Sequence, residues 1–552
     1  MITIKVILRD LKPIDMQFRE PVSVRTIADQ VQPKCPYRLV LARFDRITIR
    51  MDTTLYDSGT LELLDIRNME ARLSYQASLL LLYSCAMHEV AGKECRISTH
   101  NSLSKGLYTT IRGVEITDEL VQKVEDRMRE LVEQKLPISK RYVLRHEITM
   151  WNRKEHNEKV SEMLRYTPDL QYAMIYTLRD ESWTFINELV TDTGYLDLFE
   201  LRQYKYGILV RFPHPLDPSR ILPYEEQNVM YEAFAEEKRW CKITKVFNTK
   251  DLNRAILEGR AKELVFMNEA LHEKKVAEIA DRIASEKKRV ILIAGPSSSG
   301  KTTFANRLCI QLRVAGLDPL YIGMDDYFHD RDRTPIRDGK YDFECFEAID
   351  TDLMKSHIRQ LLSGEEVDMP SFDFEKGEKR YGKRIVRITE DSPIVIEGLH
   401  ALNPKTSDTF TDDEKFRIYI SPLTQLNIDG MNRIPTTDGR ILRRIVRDAR
   451  FRGYSAQKTI DIWPRVSEGE DVNIFPYNKY ADEFFNSHCI YEMAVLKKYA
   501  KPLLEAICED QPEFTEAQRL LRLLTYFVSM ADDSFIPNNS IMREFIGGSS
   551  IV

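Results

Sequence analysis

The run Gly295-Pro296-Ser297-Ser298-Ser299-Gly300-Lys301-Thr302-Thr303 constrains this chain more than any other. It has the form G-x-x-x-x-G-K-[ST]. The apolar stretch Val290 to Ala294 precedes it, and Phe304 to Leu312 follows with apolar residues at helical spacing. Strand, glycine-rich turn and helix in that order are the context of a phosphate-binding loop. Glycines let consecutive backbone N–H groups curl around phosphate oxygens, and the helix N-terminus adds partial positive charge. In this reading Gly295, Ser297, Ser298, Ser299, Gly300, Lys301, Thr302 and Thr303 cradle the phosphates of a nucleoside triphosphate. Lys301 reaches the β- and γ-phosphates, and the Thr302 hydroxyl ligates Mg²⁺.

At 552 residues the chain is too long for one core, so two to four domains are expected. A hydrophobic content of 43% with 30% charged residues describes a globular protein, and a net charge of -6 argues against broad nucleic-acid binding. The cysteines at 35, 85, 95, 241, 309, 345, 489 and 508 include no C-x-x-C pair. Beside a phosphate loop they read as reduced thiols of a cytoplasmic protein. The N-terminal residues Met1 to Val6 alternate like a strand and lack a signal-peptide layout. The longest apolar run, Ala77 to Met87, is far short of a membrane span.

Residues 1–65 read as a small β-rich module. Met1–Leu8 alternates, Val22–Val31 reads as a short helix begun near Ser23, Leu39–Ile49 offers further strands, and Asp57-Ser58-Gly59 is a turn signal. A helix with Leu73, Ala77, Leu80, Leu81 and Cys85 opens the next region. Another, over Thr117–Gln134, carries the apolar stripe Leu120, Val124, Met128, Leu131 and Val132. Residues 170–215 are strand-like and turn-rich, with Gly194-Tyr195-Leu196-Asp197 as a turn into a strand. This order resembles the N-terminal half of threonyl-tRNA synthetases, which is a β-grasp TGS domain followed by an α+β second domain. The resemblance implies 1–65 and 66–240 as those two units. Those synthetases carry an H-x-x-x-H pair and a later Cys and His. Here the corresponding segments read Tyr75-Gln76-Ala77-Ser78-Leu79 and Leu201-Arg202-Gln203-Tyr204-Lys205. Without nitrogen and sulfur donors, neither a Zn²⁺ site nor editing chemistry is expected. His146 and His156 read as surface histidines. Residues 241–287 read as a helical connector whose charge runs are solvated faces.

Beyond the loop helix, Pro319 to Met324 reads as a second buried strand that ends at Asp325-Asp326. A carboxylate at the carboxyl end of a parallel strand sits at the ligand crevice of an open α/β sheet. There Asp325 can take a proton from a substrate hydroxyl and aim that oxygen at the γ-phosphorus, or it can simply cap the next turn. A third strand, Ser392–Gly398, ends on Glu397, which is either a Mg²⁺ ligand or a strand-ending turn residue. The stretch Asp438 to Arg452 places arginines at helical spacing. It reads as a lid helix closing over ATP, with a solvated basic face or an RNA contact as alternatives.

Gly295–Thr303, Met324-Asp325-Asp326-Tyr327-Phe328, Pro370-Ser371-Phe372-Asp373-Phe374, Val395-Ile396-Glu397-Gly398, Arg443-Arg444-Ile445-Val446-Arg447-Asp448 and Lys479-Tyr480-Ala481-Asp482 occur in the order and spacing of uridine kinases. The resemblance covers about 288–500 and is to the uridine kinase/phosphoribulokinase class. It implies an α/β P-loop kinase domain over 288–505, a parallel sheet with helices on both faces, followed by a helical extension over 506–552. It further implies Mg·ATP-dependent 5′-phosphorylation of a nucleoside. Asp325 would be the base, Glu344 would bind the ribose, Phe372 and Phe374 would line the base pocket, and Arg444, Arg447 and Arg452 would be lid arginines. Two positions depart from the family. Glu375-Lys376-Gly377 stands where a pyrimidine-reading histidine is expected, and Tyr454 replaces the closing arginine of R-G-R. The expected function is a nucleoside kinase with altered base selectivity. An RNA-associated ATPase switch using the N-terminal half is the alternative, and a homo-oligomer is an open expectation.

Overall fold

The computed structural model describes residues 1–147, 164–337, 339–424 and 426–552. His146 is exposed, and His156 lies outside the described residues. The eight cysteines are free, and none of the helices among the described residues is long and apolar enough to cross a membrane.

The sheet that carries the phosphate loop has five parallel strands in the order Leu320–Gly323, Ile394–Glu397, Val290–Ala294, Lys415–Ser421 and Glu483–Asn486. Val290–Ala294 lies at its centre and is buried along its whole length. A strand buried on both faces needs apolar residues at every position rather than alternation. Its side chains divide accordingly. Val290, Leu292 and Ala294 join one apolar cluster, whereas Ile291 and Ile293 join another with Phe304, Leu308 and Leu312 of the loop helix Lys301–Val314. The carboxyl ends of the strands therefore converge on one edge, where the glycine-rich turn, Asp325 and Glu397 all emerge.

The first 65 residues form a five-stranded mixed sheet in the order Leu11–Phe18, Ile2–Leu8, Gly59–Asp65, Leu39–Phe44 and Ile47–Ile49, beside the helix Val24–Val31. Ser23 caps that helix by accepting the Thr26 N–H at 3.1 Å. A four-stranded antiparallel sheet follows, in the order Glu200–Tyr204, Gly207–Arg211, Gly106–Arg112 and Arg96–Leu103. The helices Met69–Ala91 and Asp118–Glu133 accompany it, and the second is capped by Thr117. The apolar run Ala77 to Met87 is the buried middle of the first of these helices.

Where the synthetase-like helix would present histidines, Tyr75 and Leu79 are buried. The Tyr75 hydroxyl donates to the Leu198 carbonyl at 2.9 Å and accepts the Leu198 N–H at 3.1 Å, which fixes a loop rather than a metal. The full-length protein should therefore release no amino acid from mischarged tRNA above background and bind no zinc through residues 1–240. Catalysed deacylation would overturn this. Zinc analysis needs one control. Glu269, His272 and Cys489 cluster in the core, with ligand atoms within 4.8 Å of one another, although Glu269 already accepts the Tyr491 and Ser540 hydroxyls. Zinc that persists in a Cys489→Ser variant would count against the expectation.

The connector differs from the solvated element expected. The helix Ala261–Ser285 exposes Glu263, Lys274 and Glu278, but its other face buries Glu269 and His272 among Leu264, Val276 and Ile283. The helix before it, Asn228–Thr244, runs across residue 240 and buries Glu237.

Candidate active site

The loop is shaped by close backbone approaches. A Cβ at Gly295 would lie 2.1 Å from the Ile420 carbonyl oxygen, and Gly300 has φ +85° with a Cβ position 2.6 Å from Ile541. Both positions therefore require glycine. The Lys301 ammonium folds back to the Pro296 carbonyl at 3.3 Å. The Thr302 hydroxyl donates to Glu397 at 3.4 Å, and Tyr321 donates to the same carboxylate at 3.2 Å. A hydroxyl and a carboxylate side by side are hard oxygen donors, a set that fits Mg²⁺.

The Lys301 charge acts on three carboxylates. Asp325 follows the strand Leu320–Gly323 and opens to solvent, yet the surrounding protein still pushes its pKa above the ordinary value. Burial likewise raises Glu344, and it raises Glu397 to about 7. In each case the Lys301 charge opposes the rise. The charge of one ammonium thus acts on all three acids, the kind of perturbed cluster that marks a chemical site. The neighbouring Asp326 is engaged elsewhere, since it accepts the Phe372 N–H at 3.3 Å.

The arginine-rich segment forms the helix Thr436–Phe451, and it is not a solvated basic face. Arg440, Arg443 and Arg444 are buried. Arg440 pairs with Glu470 and donates to the Ser297 carbonyl at 2.9 Å. Arg443 pairs with Glu492 at 2.5 Å and donates to the Ser298 carbonyl at 3.3 Å. These two arginines hold the loop from behind, and removing one partner of such a buried pair costs about 3–5 kcal/mol. Arg444 donates to the Ser297 hydroxyl at 2.9 Å and faces Glu344. Arg447 is half-buried, with its pKa lowered to about 10 chiefly by burial. Arg452 is exposed, pairs with Asp448 at 3.4 Å and acts on Asp325.

Residues 290–492 match the phosphoribulokinase/uridine kinase family. A uridine kinase from Bacillus pumilus is 30% identical over 216 residues, which are 38% of this chain and 92% of that relative. This chain belongs to the phosphoribulokinase/uridine kinase family. A uridine kinase from Halobacterium salinarum is 29% identical over 192 residues, 34% of this chain and 76% of that protein. A solved structure described as a possible uridine kinase from Bacillus stearothermophilus is 25% identical, covering 36% of this chain and 88% of that one, with a TM-score of 0.24. The family match leaves residues 1–289 and 493–552 outside it.

Phe372 is buried beside Phe328, with ring centroids 5.7 Å apart. Phe374 is 59% exposed and lies 5.1 Å from Phe372, while Tyr454 is also exposed. The segment Glu375-Lys376-Gly377 is a closed turn. Asp373 accepts the N–H groups of Glu375 and Lys376, and the Arg331 N–H donates to the Gly377 carbonyl at 2.8 Å.

Two carboxylates at the loop escaped the sequence reading. Glu470 accepts the Ser297 N–H at 2.8 Å, and Glu544 accepts the Thr303 hydroxyl at 2.7 Å. Neither sits in a local motif, and both reach the loop from far along the chain.

Proposed function

We propose that this chain is an ATP-dependent kinase that transfers the γ-phosphoryl group to a hydroxyl of a nucleoside-like metabolite. The observation that carries the reading is that Glu397, in hydrogen-bond contact with Thr302 of the glycine-rich loop, and Asp325 emerge together at the carboxyl ends of paired parallel strands. The acceptor hydroxyl gives its proton to Asp325 as its oxygen bonds to the γ-phosphorus, and the β–γ bridging oxygen leaves with ADP. Lys301, Arg444 and Arg447 offset the charge on the transferring group, so catalysis is positioning plus electrostatics. Thr302 and Glu397 would hold Mg²⁺, which would supply charge withdrawal from the phosphates. Arg452 supports the nucleotide side, and Glu344 supports the ribose.

The cytoplasm is the proposed compartment. The mixed sheet of residues 1–65 supports a β-grasp, TGS-like unit. The following α+β region to about 240 supports a synthetase-like second unit, with the connector over 241–287, the kinase domain over 288–505 and the extension over 506–552. An ATP-consumption screen over nucleosides, small alcohols and tRNA tests the activity. ADP should form only when a hydroxyl acceptor is present. Acceptor-independent hydrolysis stimulated by RNA would replace this reading with the ATPase switch.

The acceptor pocket carries a further expectation. Glu344 and the phenylalanine faces remain, but the turn at Glu375–Gly377 offers no imidazole, and Tyr454 offers a phenol in place of a guanidinium. Losing a dedicated hydrogen bond typically removes about 1–3 kcal/mol of discrimination. Uridine and cytidine should be unselective or poor substrates, with a purine or modified nucleoside at least as good. Steady-state kinetics across the nucleosides decides it, and a preference for uridine above about a hundredfold, roughly 2.7 kcal/mol, would show the pyrimidine pocket rebuilt by other residues.

A further inference from the structure

The last helix of the chain, Ile541–Ile546, lies outside the family match and packs directly on the phosphate loop. Its first residue, Ile541, occupies the space beside Gly300 that a Cβ would need. Phe545 is buried under the Arg443 guanidinium at 5.0 Å. Ser540, fully buried, caps the helix by accepting the Met542 N–H at 3.1 Å and donates its hydroxyl to Glu269 at 2.8 Å. Arg543 is tied to the carbonyls of Ile536 and Asp533. The segment is therefore held on several sides, and its position relative to the loop is fixed.

Glu544 is the residue that this anchoring delivers to the site. One carboxylate oxygen accepts the Thr303 hydroxyl at 2.7 Å, and the other stands 3.7 Å from the Arg447 guanidinium. Its charge also bears on Glu397. A carboxylate this close to a triphosphate site is electrostatically unfavourable unless it organises donors. Here it touches two of them. Thr303 lies in the first turn of the loop helix, where backbone N–H groups have no intrahelical partner and face the ligand. Among the described residues Arg447 forms only long ion pairs, with Glu544 and Asp448 at 3.7 and 3.8 Å, so its fork keeps hydrogen-bonding capacity for phosphate oxygens.

We infer that Glu544 is a positioning residue of the nucleotide site, fixing the Thr303 side chain and Arg447 so that the C-terminal segment forms part of the ATP-binding surface. The inference rests on the kinase reading for the identity of the ligand. It differs from that reading in assigning a role to a residue some fifty positions beyond the family match. Glu544 touches no reacting atom. Its effect passes through Thr303 and Arg447, so it should appear in ATP affinity and, through Arg447, in turnover as well.

Calorimetric titration of the full-length protein with Mg·ATP tests this without knowledge of the acceptor. Glu544→Ala should weaken ATP binding about tenfold. Glu544→Gln keeps the acceptor oxygen for Thr303 but loses the charge facing Arg447, and should weaken it about threefold. In a Thr303→Val background the Glu544→Ala effect should shrink below threefold, because residues that act through one contact are not additive. Once an acceptor is identified, the KM for ATP should rise and kcat should fall, while the acceptor KM stays within threefold. If Glu544→Ala does not fold, Glu544→Gln and its Thr303→Val double variant carry the same comparison. Failure of the wild-type chain to bind Mg·ATP would defeat the phosphate-loop reading. Wild-type binding with unchanged affinity in both Glu544 variants would defeat this inference alone, as would a lowered thermal midpoint with unaltered affinity or full additivity with Thr303→Val.

Discussion

Asp325→Asn should bind ATP within about threefold of wild type and lose about 10²–10⁴-fold in turnover, the usual cost of removing a general base. Asparagine keeps the size and polarity of the side chain but cannot take the acceptor proton. The geometry gives the variant its specificity. Asp326 is held on the Phe372 N–H, so it cannot replace its neighbour without breaking that bond. The wild-type pH profile supplies a second readout. The surrounding protein raises the Asp325 pKa above its ordinary value, with Lys301 and Arg452 opposing the rise. The base is active when deprotonated, so kcat/KM should fall as pH drops through that raised value. The acid limb should therefore lie above the usual carboxylate range near 3.9. In Asp325→Asn that limb should vanish while the residual rate remains. An unchanged rate with intact ATP affinity would remove Asp325 from the mechanism.

The parts of the site that the sequence reveals are those built from contiguous residues. Gly295–Thr303 reads as a phosphate loop because strand, turn and helix are adjacent in the chain. Asp325 and Glu397 read as site carboxylates because each directly follows an apolar strand, and parallel strands bring such ends to one edge. The arginine-rich segment was legible as a helix, but its environment was not. Helical spacing looks the same whether the charges face water or buried partners. The partners of Arg440, Arg443 and Asp438 are Glu470, Glu492 and Arg519, which lie 30, 49 and 81 residues away. Glu544 reaches Thr303 from 241 residues away, a distance no local pattern spans. The connector hid its burial for the same reason, because Glu269 and His272 find their partners in residues 488–540. Long-range pairing of polar groups is a property of the packed chain, and it is there that expectations of solvated helices gave way.

Lys301→Ala should bring phosphotransfer to background, a loss of at least about 10³-fold or roughly 4 kcal/mol of transition-state stabilisation, and should weaken ATP binding as well. The lost contact with the β- and γ-phosphates accounts for part of the effect. The carboxylates account for the rest. Lys301 is the cation that opposes the raised pKa of Asp325, Glu344 and Glu397 together. Without it, Arg452 still acts on Asp325 and Arg444 on Glu344, but desolvation and mutual repulsion meet less opposition, so all three should bind protons at higher pH than in the wild type. Asp325 would then be a less available base near neutrality, and Glu397, already at about 7, a less available cation ligand. Raising the pH should restore the ionisation of these acids but not the phosphate contact. The variant should therefore stay far below wild type even at pH 9, and Lys301→Arg should restore carboxylate ionisation better than it restores turnover, since a guanidinium carries the charge without the compact ammonium geometry. Near-normal turnover in Lys301→Ala would falsify the phosphate-loop assignment. Recovery to wild-type rates at alkaline pH would place the whole role of Lys301 in holding the acids ionised.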